Sequence, residues 1–422
     1  MKKKAQKHSN LNFDTVSLIY QTKKQFWSIS NRGVKKRISK IFFDFLLSQK
    51  KLISYEDSKI FKKGVPFNVL PTEIEVIFND VKQFIKILNP ISVRYNFMDL
   101  FCGAGGLSEG LINAGLTPIL CLDNNKDACL TLKKNHSQVK VVNDKIQNFD
   151  FSEYQNKVDI LVGGSPCQSF SYAGLGKGLK DSNGRALLEF IQIIFFLKPK
   201  IFVLENVKGL LSHNQGKTLE YIVNLFSKEN LYHIEFDLIN MEDYGIPQKR
   251  QRLFILGSLK SINLTNLFPI PKLYPKQVLR DVLMNVPDSK GARYSKVKEE
   301  LFQKIPEGGC WINLPLEDQK NYLGKMFHSG GGKRGILRRL SMSEPSLTLL
   351  CSPSQKQTER CHPFEERPLT IREYARIQTF KDDYYFYGSL ASQYRQIGNA
   401  IPVLFSYQLG IHLSSKLSFS DT

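Results

Sequence analysis

A glycine-rich turn carries the first pattern in the chain that points to chemistry. It reads Asp99-Leu-Phe-Cys-Gly-Ala-Gly-Gly106, and its glycines permit a tight turn that approaches a ligand at the start of a helix. Asp123 follows at the end of the next predicted strand, where a carboxylate can accept hydrogen bonds from ribose hydroxyls. The pattern predicts an adenine nucleoside cofactor, with a merely structural glycine turn as the alternative. It does not indicate NAD, because Ser108 occupies the third glycine position of GxGxxG.

A cysteine and a glutamate follow two later predicted strands. Cys167 lies in Gly163-Gly-Ser-Pro-Cys-Gln-Ser-Phe-Ser171, a loop shaped by glycine and proline. A lone cysteine is usually buried and inert, but one on such a loop beside a cofactor is a candidate nucleophile. Glu205 ends the apolar run that begins at Phe202, so it must be paired or have its pKa raised by burial. The alternative for Glu205 is a helix-cap or salt-bridge role.

These residues lie at strand ends in a part of the chain that alternates strands with helices. From Val93 onward, the apolar pattern predicts strands at 97–101, 117–122, 139–142, 158–162, 201–204 and 253–256. Helices are predicted through Ala114, through about Asn135, at 185–197 and at 217–227. This alternation is typical of a mostly parallel α/β sheet covered on both faces, where ligands bind at the carboxyl ends of the strands.

Two flanking regions follow different patterns. Residues 263–367 are loop-rich and basic, which indicates a second, smaller domain, and helices are predicted after it at 370–380 and 402–413. Residues 1–92 are predicted to form a basic helical extension. Its first helix is indicated by apolar residues at helical spacing, namely Val34, Ile38, Ile41, Phe42, Phe45 and Leu46. A second helix is predicted after Pro71, with a capping-box pattern and an apolar face from Ile74 to Leu88.

Composition excludes several classes of protein. The chain of 422 residues is 42% hydrophobic and 23% charged, as expected for a globular protein of two or three domains. Its longest apolar run, Phe190 to Leu197, has eight residues including Gln192, too few for a membrane helix of ~20 residues. No apolar segment follows the initial MKKK, so we expect no secretory signal. Seven cysteines without framework spacing indicate free thiols in a reducing compartment, and we expect no metal site.

Charge indicates a polyanionic partner. The formal net charge is +20, and residues 1–70 contain 16 Lys/Arg against 4 Asp/Glu. A soluble protein this basic usually meets a nucleic acid, although a solvated basic surface is the alternative.

Six blocks in order resemble the DNA cytosine-5 methyltransferases of bacterial restriction–modification systems. They read FMDLFCGAGGLSEG, GGSPCQSFSYAG, FVLENVKGL, GIPQKRQRLFILG, RPLTIREYARIQTF and QIGNAIP, and they cover about residues 97–413. The resemblance implies a Rossmann-like, S-adenosylmethionine-dependent fold. It implies a catalytic and cofactor-binding domain at 93–262, a target-recognition domain at 263–367 and a return to the catalytic domain at 368–422. Residues 1–92 lie outside it.

The resemblance also implies a reaction. Cys167 would add to C6 of a cytosine flipped out of double-stranded DNA, and a protonated Glu205 would donate to N3. Arg250 and Arg252 would hold the base and the cysteine loop. C5 would take the methyl group of S-adenosyl-L-methionine, and methylation of a short specific sequence would protect host DNA from a cognate restriction endonuclease. The enzyme is expected to be a cytoplasmic monomer associated with the nucleoid through DNA.

Further site residues are assigned by the same resemblance. The cofactor-binding residues would be Phe101, Gly103, Gly105, Gly106, Asp123, Asp144, Pro166 and Asn399. The DNA-binding residues would be Gln168, Ser169, Lys333, Arg334, Arg338 and Arg339. Asn124 departs from the aromatic residue often found after the acid, which puts adenine stacking there in doubt.

Two other functions fit the same fold. One is a transfer-RNA cytosine-5 methyltransferase, whose recognition region is short; the long basic segment and the Pro-Cys-Gln-Ser loop favour DNA. The other is an inactive DNA-binding regulator, against which the intact Cys167, Glu205, Arg250 and Arg252 count.

Overall fold

The computed structural model divides the chain into two compact units, Met1–Ser92 and Val93–Thr422. In the first unit it describes three strands between residues 17 and 39. In the second it describes residues 95–165, 182–271, 276–328, 335–355 and 358–420.

The three strands of the first unit form an antiparallel sheet. They are β1 (Ser17–Gln21), β2 (Phe26–Asn31) and β3 (Val34–Ser39), in the order β1-β2-β3. The helix predicted from Val34 is therefore wrong over β3. The register pairs Asn31 with Val34 and leaves only Arg32-Gly33 between the strands, a spacing that favours a hairpin between segments rich in aromatic and β-branched residues. The rest of that helix, and the helix predicted after Pro71, lie outside the described residues.

A seven-stranded sheet forms the centre of the second unit. The strands of the unit are β4 (Asn96–Leu100), β5 (Thr117–Asp123), β6 (Val141–Asn143), β7 (Ile160–Gly164), β8 (Ile201–Val207), β9 (Tyr232–Asn240), β10 (Gln248–Lys249), β11 (Gln251–Leu259) and β12 (Ser346–Leu347). All of them except the short strands β10 and β12 belong to the seven-stranded sheet. The order is β6-β5-β4-β7-β8-β11-β9. β11 runs antiparallel to β8 and β9, and the other adjacent pairs are parallel. The predicted mostly parallel α/β sheet is confirmed.

Helices cover both faces of this sheet. The helices of the unit are α1 (Gly106–Asn113), α2 (Lys126–Asn135), α3 (Ser182–Leu197), α4 (Gly209–Ser212), α5 (Lys217–Glu229), α6 (Leu279–Leu283), α7 (Lys296–Gln303), α8 (Leu316–Leu323), α9 (Ile371–Ile377), α10 (Leu390–Asn399) and α11 (Val403–Ser420). Successive strand residues point to opposite faces. Phe97 thus packs in the apolar cluster of α1 and α11, whereas Met98 packs in that of α3 and α5. No helix in the described ranges has the length and apolarity needed to span a bilayer.

Several elements of the unit were not predicted, among them β9 and α10. β9 alternates polar and apolar residues at the edge of the sheet, so it lacks the continuous apolar run of the buried strands. α10 is short and polar, but the Ser389 hydroxyl caps it by accepting a hydrogen bond from the Ser392 N–H. Its last residue is Asn399, so this helix sets the position of a predicted cofactor residue.

The loop-rich stretch has its own small apolar cluster. The buried members of this cluster include Tyr294, Leu301, Phe302, Leu337 and Cys361. The short helices of the stretch are α6, α7 and α8. β12 pairs in parallel with β10, with Gln248 opposite Ser346. This pairing joins the loop-rich stretch to the chain just before Arg250 and β11, whose second residue is Arg252.

Candidate active site

The glycine-rich turn between β4 and α1 is held against Asp123. The backbone adopts positive φ at Phe101 (64°), Gly103 (52°) and Gly105 (87°). One Asp123 carboxylate oxygen accepts from the Gly103 N–H at 2.8 Å, and the other accepts from the Asn125 N–H at 2.7 Å. Burial raises the pKa of the Asp123 carboxyl, and the two N–H donors partly oppose the shift. The structure thus brings together the turn and the acid that the sequence pairs at a distance.

The three glycines of this turn serve different purposes. A Cβ on Gly105 would lie 2.6 Å from Leu132 Cδ1, and one on Gly106 would lie 2.4 Å from the Ile401 carbonyl oxygen. Both positions therefore require glycine for close packing. A Cβ on Gly103 would have no atom within 4 Å, so this part of the turn faces open space. That open cradle, next to a carboxylate at the end of β5, fits a nucleoside ligand.

The other predicted cofactor residues surround the turn. The Asp144 N–H donates to the Asp123 carbonyl oxygen at 3.1 Å, which places the ends of β5 and β6 side by side. The Phe101 ring contacts Phe190 edge-on, with centroids 6.2 Å apart. Asn399 ends α10, immediately before the segment that packs on Gly106, and its Oδ1 accepts from the Cys351 thiol at 2.9 Å. Pro166 lies outside the described residues.

Asp99 is a buried acid that the sequence analysis did not single out. Its side chain is fully buried in β4, one oxygen accepts from the Ser108 hydroxyl at 2.5 Å, and the other has no hydrogen-bond partner. Burial raises the pKa of this carboxyl to about 7. The bond joins the end of β4 to α1 beneath the glycine turn. The available signal was an acid inside an apolar strand, the same signal that identified Glu205.

Glu205 lies near the end of β8 and faces Arg252. The Arg252 Nε is 3.0 Å from a Glu205 oxygen, and Glu205 is only 9% exposed. Burial raises the pKa of the Glu205 carboxyl, and the charges of Arg252 and Arg250 oppose the shift without cancelling it. The neighbouring Asn206 is fully buried and donates from Nδ2 to the Ser165 hydroxyl at 3.0 Å. This bond fixes the last described residue before the segment that contains Cys167.

Arg250 and Arg252 differ in their surroundings. The Arg250 side chain is fully buried, and its guanidinium donates to the carbonyl oxygens of Leu349, Gly398 and Asn399. It therefore joins the loop after β12 to the end of α10. Arg252 instead keeps 16% of its side chain exposed beside Glu205. Arg250 is thus enclosed by backbone carbonyl oxygens, and Arg252 stays partly open to solvent beside Glu205.

A groove of about 420 Å³ opens next to Arg252. Its lining residues are Val207, Lys208, Gly209, Asn240, Glu242, Lys249, Gln251, Arg252 and Thr348. Lys208 Nζ donates to Gln251 Oε1 at 3.0 Å, and Lys249 Nζ lies 3.1 Å from the Glu344 carboxylate. The groove therefore presents cationic side chains beside the strand-end acid, an arrangement suited to an anionic polymer.

The predicted DNA contacts of the loop-rich stretch require one correction. Arg339 is 4% exposed, and its guanidinium donates to the carbonyl oxygens of Phe302, His362, Pro363 and Glu365 and pairs with Glu366. The DNA contact predicted for Arg339 does not fit this burial, because these partners hold its Nη groups inside the protein. Arg338, the adjacent residue, is half-buried. Cys167, Gln168, Ser169, Lys333 and Arg334 lie outside the described residues.

Comparisons with known proteins show the family of the chain. The family model for C-5 cytosine-specific DNA methylases matches residues 95–414. The type II methyltransferase M.Eco47II of Escherichia coli is 44% identical over 344 residues, covering 79% of this chain and 82% of that protein. M.Sau96I of Staphylococcus aureus is 46% identical over 344 residues, covering 80% of each. A solved structure of a candidate prophage DNA modification methyltransferase from E. coli has a TM-score of 0.58 and 25% identity, covering 77% of this chain and 99% of that chain.

Proposed function

Because this chain belongs to the C-5 cytosine-specific DNA methylase family, it is a DNA cytosine methyltransferase, and we propose that it methylates C5 of a flipped-out cytosine within a short specific sequence. The target atoms are inaccessible inside a duplex, so the base must leave the stack to be modified. Its similarity to type II methyltransferases supports a role in protecting DNA from a cognate restriction endonuclease. We expect it to act as a monomer in the cytoplasm, associated with the nucleoid through its DNA substrate.

The proposed covalent step uses Cys167 and Glu205. Cytosine C5 is a weak nucleophile until a thiolate adds to C6 and converts the ring to an enamine. Cys167 supplies that thiolate, and Glu205 donates a proton to N3, where negative charge would otherwise accumulate. After C5 is methylated, loss of the C5 proton and of the thiolate restores the aromatic ring. The raised pKa of Glu205 supports the donor role, since an acid must be protonated before it can donate.

Arg252 is proposed to orient both Glu205 and the cytosine base in this step. Its guanidinium fixes one Glu205 oxygen at 3.0 Å and leaves the other Glu205 oxygen for the base. Arg250 acts indirectly, because it holds the segments at Leu349 and Asn399 that border the site.

The cofactor proposed is S-adenosyl-L-methionine, which when bound supplies an electrophilic methyl group. The open side of Gly103 fits the approach of its amino-acid part, and Asp123 fits its ribose hydroxyls. Phe101 and Asp144 border the adenine side, Gly105 and Gly106 keep the turn closed beneath it, and Asn399 closes the site from the C-terminal segment. Pro166 is proposed to contribute from the loop that contains Cys167.

The observation that carries this proposal is the buried Glu205–Arg252 pair at the same sheet edge as the glycine turn. Bisulfite sequencing of plasmid DNA from cells that express the protein tests it, because protected cytosines reveal both the base and its sequence context. We expect protection at one short sequence. Complete conversion, together with no transfer of labelled methyl groups to DNA, would reject the proposal. Transfer to RNA alone would assign the related activity on transfer RNA.

A further inference from the structure

The loop after β12 packs closely on the end of α10. A Cβ on Gly398 would lie 2.5 Å from the Leu350 carbonyl oxygen and 2.9 Å from the backbone nitrogen of Cys351, so this position requires glycine. The Arg250 guanidinium donates to the carbonyl oxygens of Leu349 (3.4 Å) and Gly398 (3.1 Å). The backbone of Cys351 is therefore held at a fixed place against the last turn of the helix.

Two fully buried glutamines join the same two segments a second time. Gln248 Oε1 accepts from the Leu349 N–H at 3.0 Å, and Gln248 Nε2 donates to Gln378 Oε1 at 2.9 Å. Gln378 Nε2 donates in turn to the carbonyl oxygens of Ile397 (2.7 Å) and Ala400 (3.0 Å). Side chains at this contact thus meet on backbones that are fixed from both directions.

The Cys351 side chain contacts Asn399, a proposed cofactor residue, within this frame. Its Sγ donates to Asn399 Oδ1 at 2.9 Å, and both residues are exposed. The Asn399 Nδ2 group has no hydrogen-bond partner among the residues that the structure describes. Because the thiol takes the oxygen of the amide, both Nδ2 hydrogens are left for a ligand.

The thiol is in the protonated form that this contact needs. Although Cys351 is exposed as a residue, the protein around its sulfur desolvates the thiol and raises its pKa. The positive charges of Arg250, Arg395 and Arg252 oppose this shift without cancelling it. Cys351 therefore keeps its proton at neutral pH and acts as a donor.

A donor at this place decides which way the Asn399 amide faces. The terminal torsion of asparagine is broad and roughly two-fold, so an amide without a partner adopts both orientations. Only one of them presents Nδ2 to the carboxylate and hydroxyl oxygens of S-adenosylmethionine, whereas the other presents an acceptor to them. Holding the amide in advance removes the cost of ordering it when the cofactor binds.

We propose that Cys351 is a positioning residue for S-adenosylmethionine, whose thiol holds the Asn399 amide so that Nδ2 donates to an oxygen of the cofactor. The inference rests on the proposed cofactor site and adds to it a residue outside the six motif blocks.

The test compares C351A with C351S in the full-length enzyme. C351A removes the donor, so we expect the KM for S-adenosylmethionine and the Kd of S-adenosylhomocysteine to rise about 2- to 10-fold, as for one hydrogen bond. The kcat should stay within twofold of wild type. C351S keeps a donor and should restore both constants to within twofold of wild type. S352A, at the adjacent exposed residue, is the matched control and should bind like wild type.

A double-mutant cycle asks whether the effect passes through Asn399. In an Asn399→Ala background, C351A should weaken cofactor binding no further. The same loss in both backgrounds would overturn the proposal. Unchanged cofactor binding in C351A, or C351S as weak as C351A, would overturn it too, since the thiol would then only fill space or act elsewhere. If the wild type bound neither cofactor form, the proposed function would fail instead.

Discussion

The sheet edge and the loop-rich stretch each contain two nearby arginines with different surroundings. At the sheet edge, Arg250 is buried among backbone carbonyl oxygens, while Arg252 faces Glu205. In the loop-rich stretch, Arg339 is buried in the same manner and forms a β-bridge with Cys361, while Arg338 is half-buried. In both regions one arginine is held inside the protein by backbone carbonyl oxygens, while its near neighbour, Arg252 or Arg338, is only partly buried. The regions differ in what positions the second arginine: a long strand in the first and two single-residue bridges in the second.

Replacing the acid at the sheet edge should have the largest effect that distinguishes the two regions. Glu205→Gln keeps the shape of the side chain but cannot transfer a proton, so we expect turnover to fall by roughly 10²-fold or more. The wild-type rate should also fall as pH rises through the pKa of Glu205, and the variant should lack that limb. Glu229→Gln, at the exposed end of α5, is the control and should stay close to wild type. Activity of Glu205→Gln within twofold of wild type would make Glu205 structural.

Substituting the arginines of the sheet edge one at a time sharpens the contrast within that region. Arg250→Met leaves three carbonyl oxygens without their donor, so we expect it to lower the free energy of unfolding by about 2–4 kcal/mol. Arg252→Met should lower turnover at least tenfold with a much smaller loss of stability, since Arg252 is partly exposed. Denaturant unfolding measures the loss of stability in both variants, and methyl-transfer rates measure their loss of turnover. Equal stability losses would remove the distinction between them.

The acid beneath the glycine turn should make stability depend on pH. The pKa of Asp99 rises from 3.8 to about 7 on burial, so the folded chain retains a proton that the unfolded chain releases. Its stabilising contribution is complete below pH 3.8 and is lost as pH rises to about 7, by at most about 4 kcal/mol. Asp99→Asn carries no titrating group there, so its free energy of unfolding should decline less over that range. Parallel wild-type and variant curves would contradict the shift.

The smallest expected effect concerns the basic N-terminus, which neither region includes. Residues 1–16 precede β1 and contain Lys2, Lys3, Lys4 and Lys7. Each lysine that contacts a phosphate adds ~0.9 to the slope of log affinity against log salt. Removing these residues should flatten the slope and leave the methylated sequence unchanged. An unchanged slope would mean that these lysines are only solvated, and a changed target would move recognition out of 263–367.

The contrast between the regions also explains how much could be predicted from the sequence. The sheet and its strand-end residues follow from local pattern: apolar runs locate the strands, and Asp123 and Glu205 lie where those runs end. Their mutual placement then follows from parallel topology. Arg338 and Arg339 carry the same charge at adjacent positions, and only the pairing with residue 361 decides which one is buried. Such long-range contacts leave no periodic signal, so the sequence alone could not separate Arg339 from Arg338.

The N-terminal strand β3 illustrates a second limit. Val34 and Ile38 are spaced by four, which fits a helix, but the same residues also fit alternate positions of a strand. The pairing with β2, from Phe26–Ser39 to Asn31–Val34, decides between the two.

The central claim, covalent catalysis at cytosine, is tested most directly by trapping the enzyme on DNA. A duplex that contains the target with 5-fluorocytosine at the methylated position is incubated with S-adenosyl-L-methionine and the enzyme. Because fluorine at C5 blocks the final elimination, the wild type should form a stable protein–DNA adduct resistant to denaturation. Cys167→Ser should form none and should show no turnover, while its thermal unfolding and cofactor binding remain those of the wild type. Normal methylation by Cys167→Ser, or an adduct that persists in it, would contradict the account.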